Sequence, residues 1–133
     1  MTPERQAAID KMQFFLKQLD ELIARVASGK PLAGQEKTEA RERLRALKDG
    51  LKVESQALSK RQYQLDHFER CFVEPAIYRA SINILSSVNS VPNQKWRSDL
   101  RSARFDLGHT ISQLEDLSDD WRPGGSPPSR RRG

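Results

Sequence analysis

Cysteine is almost absent from this chain. Cys71 stands alone, so no disulfide can close within one molecule, which suits a reducing compartment. Histidine is scarce too, with two residues, and aromatics make up only 7 % of the chain. No apolar run approaches the roughly 18 residues that a membrane helix requires. The opening Met1–Gln6 stretch is polar and lacks the apolar core of a signal peptide, so the expected compartment is the cytoplasm, with no membrane contact. The seven glycines are scattered along the chain and its C-terminal segment, so no glycine-rich phosphate loop is present. Alternating apolar and polar positions, the signature of strands, are missing as well.

These absences exclude several chemistries. His67 and Cys71 lie four apart, but two ligands do not make a zinc site, and His109 joins them only by coincidence of folding. No paired carboxylates in an apolar setting and no Ser/His/Asp or Cys/His arrangement stand out. The expectation is a protein that is not an enzyme and needs no cofactor or metal.

What the chain does have is leucine and charge. Its 133 residues suit one domain with a modest core, and 31 % of them are charged, so the fold must be thin. Net charge is +5, of which residues 118–133 supply four Arg against two Asp. The remaining body is close to balanced, which is weak support for nucleic acid.

Helical spacing dominates. Thr2 and Pro3 suit a helix start, followed by Ile9, Met12, Leu16, Leu19, Ile23 and Val26 in steps of three and four. Ala8, Phe15 and Leu22 widen that seam. Gly29 and Pro31 end it. A second helix begins between Gly34 and Thr38 and, with no proline in its way, can run to Phe72. Its seam is Ala40, Leu44, Leu47, Leu51, Leu58, Leu65, Phe68 and Phe72, with a kink expected at Gly50. Pro75 starts a shorter third helix carrying Ile77, Ala80, Ile84 and Val88. A fourth carries Trp96, Leu100, Ala103, Leu107, Ile111, Leu114 and Leu117. The expected fold is all-α: a small bundle over residues 1–117 built on a long antiparallel hairpin, and a flexible Pro/Gly/Ser/Arg tail over 118–133.

The heptad Leu44, Leu51, Leu58, Leu65 admits two readings. Either the bundle covers it within one chain, or part of it joins two chains. For the second reading the interface residues are Glu54, Ala57, Leu58, Arg61, Leu65, Phe68 and Phe72. In an antiparallel homodimer each Glu54 would face the partner's Arg61, a reciprocal pair natural to two-fold symmetry. Trp121 is a further candidate anchor for a protein partner.

Two basic stripes offer anion contacts. Arg41, Arg45, Lys48 and Lys52 share one face of helix 2, and Arg97, Arg101 and Arg104 one face of helix 4. If those faces adjoin they form one positive groove, extended by Arg130, Arg131 and Arg132 of the tail. Aromatic residues for base stacking are not interleaved there, apart from Trp96. The expected function is a non-enzymatic protein-binding module, an adaptor, inhibitor or regulatory subunit. The alternative is a nucleic-acid-associated protein using the basic stripes and the arginine tail.

Overall fold

The computed structural model describes residues 2–28, 30–85, 87, 88, 90, 92 and 94–117. The tail, with Trp121 and Arg130–Arg132, lies outside the described residues. Among the described residues four α-helices form: α1 Pro3–Arg25, α2 Gly34–Lys60, α3 Glu74–Leu85 and α4 Gln94–Asp116. A π-helical turn, Glu69–Val73, leads directly into α3. Among the described residues there is no strand.

Local chemistry sets the boundaries. The Thr2 hydroxyl accepts from the Arg5 backbone N–H at 3.1 Å, and Pro3 opens the first turn. Gly34 begins α2 with φ +61°, a left-handed conformation that costs a Cβ-bearing residue strain. α2 runs unbroken through Gly50. What Gly50 provides is clearance, because a Cβ there would lie 3.4 Å from the Phe15 ring.

The expected long second helix is corrected. It ends at Lys60, and a turn spans residues 61–64. The reason is a competing start signal. Asp66 accepts from the Glu69 N–H at 2.9 Å, and Glu69 accepts back from the Asp66 N–H at 3.3 Å. This reciprocal capping box satisfies two orphan donors and restarts the helix at His67. Arg70 also reaches back to the Gln62 carbonyl at 3.2 Å and so helps hold the turn. Helix formation therefore precedes Pro75 instead of beginning there. The π turn is the accommodation: the Glu74 N–H bonds to the Glu69 carbonyl, one residue further back than in an α-helix. The widened turn leaves room for the Pro75 ring, which would otherwise press on the carbonyl four residues before it.

Ending α2 at 27 residues makes the rods commensurate: about 40 Å for α2 against about 34 Å for the 23-residue α1 and α4. A helix running on to Phe72 would have projected well past its neighbours with Leu65, Phe68 and Phe72 uncovered. Folding back buries Leu65 and packs Phe68 and Phe72 against the core.

Side-chain pairs fix the topology. Along α1 and α2, Lys11 pairs with Glu54, Glu21 with Arg43 and Arg25 with Glu39, so the two run antiparallel. Along α1 and α4, Asp20 meets Arg104, and the Ala27 carbonyl accepts from Arg97. Along α3 and α4, Asn83 donates to Asp106 and Ser87 to Asp99. Arg41 of α2 donates to the Ser90 carbonyl just beyond α3. The result is an up-down-up-down bundle in which α1 and α3 each pack against both α2 and α4 or their extensions, with α1·α4 and α3·α4 the most extensive contacts. The hairpin α1–α2 is one edge of this square, and α2 and α4 sit at opposite corners.

The core runs the length of the bundle, from Ile9, Met12 and Leu19 through Leu44, Leu47 and Leu51 to Ile77, Ile84, Leu100 and Leu107. Phe15 and Leu22, which the spacing placed beside the α1 seam, are more deeply buried than Leu16 and Ile23. A helix flanked by two neighbours needs two seams, one for each.

Candidate functional site: the outer faces of the bundle

The leucine heptad is satisfied within the chain. Leu44, Leu51 and Leu58 are fully buried, and Leu65 nearly so. Ala57 is half-buried. Glu54 and Arg61 also find partners without a second molecule. Lys11 donates to Glu54 at 2.7 Å, Arg61 to Glu69 at 3.1 Å, and Lys11 lies 4.0 Å from Glu69. Two acids and two bases thus close a network at the junction of α1, α2 and the π turn. Half-buried charges must be matched, and here the match is intramolecular.

The two basic stripes do not adjoin. The Arg41–Ser90 bond turns the stripe Arg41, Arg45, Lys48, Lys52 toward α3, while Glu39, Arg43 and Glu54 on the other flank of α2 pair with α1. On α4, Arg97 and Arg104 are bonded to α1, and Asp99 and Asp106 to the α3 side. One stripe therefore edges the α2–α3 face and the other the α4–α1 face, on opposite sides of the bundle. No seven-charge groove forms, because the helices that carry the stripes are diagonal. Arg101 stays exposed between Arg97 and Arg104. Trp96 is fully buried and donates to the Ser90 hydroxyl at 2.8 Å, so it is not available for stacking. The exposed aromatic of that stripe is Phe105, 66 % exposed and stacked on His109 with ring planes 6° apart.

A row of exposed apolar side chains lies elsewhere. On α3, Tyr78, Ile82 and Leu85 are 59, 51 and 60 % exposed. Their spacing of four and three aligns them on one side of the helix, with Ile82 opposite the buried row Ala76, Ile77, Ala80, Ile84. A helix with apolar side chains on both faces belongs to a buried environment, yet this one faces outward. The helical spacing read from the sequence names the inner row Ile77, Ala80, Ile84 and Val88. The outer row was legible in the same spacing.

Among the described residues no three His, Cys, Asp or Glu side chains converge on a point that could hold a metal ion. None of the described helices is long and apolar enough to cross a membrane. Comparison with protein-family models, with curated proteins and with solved structures gives no match to this chain.

Proposed function

We propose that this chain is a non-enzymatic protein-binding module whose docking surface is the outer face of α3. The observation that carries the reading is the aligned exposure of Tyr78, Ile82 and Leu85. Exposed apolar strips that the bundle itself does not cover mark interaction surfaces, and a tyrosine beside branched aliphatics suits an interface centre. The core leucines and the charge network of Glu54 and Arg61 belong to the scaffold that holds α3 rigid. An adaptor, inhibitor or regulatory subunit fits this arrangement.

The test is a photo-crosslinking amino acid placed at Ile82 in the full chain, expressed in its native host. A discrete protein adduct at position 82, lost when Tyr78 and Leu85 become Asp, supports the reading. Equal, diffuse labelling from position 82 and from Gln113 on α4 contradicts it.

A second reading has its own observation. Phe105, stacked on His109, lies beside Arg101 and Arg104 and offers a ring face among cations, an arrangement that suits single-stranded nucleic acid. A labelled oligonucleotide whose binding weakens steeply with salt, and again with Phe105→Ala, would favour it.

A further inference from the structure

We infer that the occupant of the α3 face is an amphipathic helix of a different protein, with acidic residues along one rim of its apolar stripe. This rests on the proposed docking role of α3 and adds the identity of the partner's chemistry.

Shape comes first. Tyr78, Ile82 and Leu85 form two turns of a straight ridge, about 10 Å long. The ridge is bordered by α2 on one side and α4 on the other. A helix laid along such a border presents its own side chains at i, i+3 or i+4 and i+7, matching the steps of four and three displayed here.

Charge selects among occupants. The α2 border of the ridge carries Arg45, Lys48 and Lys52 against Glu42 and Asp49, a net positive rim, while Arg41 is held by the Ser90 carbonyl. Lys48 lies 3.9 Å from Asp49, on an exposed and readily exchanged contact. The α4 border is occupied internally: Asp106 is held by Asn83 and Arg79, and Asp99 by Ser87 and Lys95. A partner therefore meets a net positive border on the α2 side, at the exposed Arg45 and Lys52.

That asymmetry disfavours a second copy of this chain. In an antiparallel two-fold pairing of α3 with α3, the α2 border of one molecule lies over the α2 border of the other, and the basic rims coincide. In a parallel pairing, the rim faces acids already engaged within their own bundle. The chain's own segment 118–133 carries four Arg against two Asp, the same sign as the rim. An acidic-rimmed helix from elsewhere meets neither conflict.

The probe is a synthetic, end-capped 15-residue helix with leucines at the seam and glutamates beside them, titrated by fluorescence anisotropy against the full chain. A control peptide replaces each glutamate with lysine. The glutamate peptide is expected to bind about tenfold tighter than the lysine peptide. Its advantage shrinks as salt rises. The triple variant Arg45→Glu, Lys48→Glu, Lys52→Glu is expected to reverse the preference, and Ile82→Asp to abolish both, with helix content by circular dichroism unchanged. Equal binding of both peptides overturns the acidic partner while leaving α3 as a docking face. Failure of either peptide to bind, together with a dimer in light scattering that Ile82→Asp dissolves, overturns the inference in favour of self-association.

Discussion

Arg5, in the first turn of α1, donates from one guanidinium nitrogen to the Leu114 carbonyl 109 residues away, at 3.1 Å, and to the Leu117 carbonyl at 3.0 Å. These carbonyls lie at the C-terminal end of α4, where the last four of a helix lack intrahelical partners and the helix dipole favours a cation. A buried arginine thus closes the bundle at its ends.

Replacing Arg5 with Met keeps much of the side-chain volume but leaves the α4 carbonyls without their donor. Destabilisation of about 2–3 kcal/mol is expected in urea denaturation. Arg5→Lys should recover only part of it, because the lysine side chain ends one atom short of the guanidinium nitrogen that reaches both carbonyls. A loss below about 0.5 kcal/mol would mean that this bond contributes nothing.

Asp66→Ala separates the broken helix from a continuous one by the sign of its effect. As a cap, Asp66 is worth about 1 kcal/mol, and its loss destabilises. In the middle of an unbroken helix, the same change would stabilise by a few tenths of a kcal/mol. Thermal melts of the two proteins decide the sign.

Two glycines should respond in opposite directions. At Gly108, inside α4, a Cβ would meet Leu16 Cδ1 at an ordinary 3.8 Å, so Gly108→Ala should stabilise by about 1 kcal/mol. At Gly34, with φ +61°, Gly34→Ala should destabilise by about 1 kcal/mol. Both are read from denaturant midpoints.

Leu58 and Ile82 divide scaffold from surface. Leu58→Ala should cost about 2–5 kcal/mol, since the side chain is fully buried. Ile82→Asp should change stability by no more than about 1 kcal/mol, being a surface change with a small loss of helix propensity. Paired urea curves test the contrast.

Much of the bundle was legible in the sequence. The steps of three and four located the inner rows of all four helices, and Thr2–Pro3 marked the first start. The break after Lys60 was not read, because the leucine period ran on through it with no proline or glycine to interrupt. The signal that overrides it is short, Asp66 followed three residues later by Glu69, and a capping box competes locally with a pattern spread over thirty residues. The placement of the basic stripes could not be read from spacing at all. Periodicity says which residues share a face, but which neighbour that face meets depends on long-range pairs such as Arg41 with Ser90 and Arg104 with Asp20. The intramolecular partners of Glu54 and Arg61 were not legible for the same reason: Lys11 and Glu69 come from other elements.

The most direct measurement of the docking claim is an amide chemical-shift map of the full chain titrated with the glutamate-rimmed peptide. The account predicts perturbations concentrated at residues 45–55 of α2 and 74–85 of α3. Shifts gathered instead on Arg97 to His109 of α4, or spread evenly over the bundle, would contradict it.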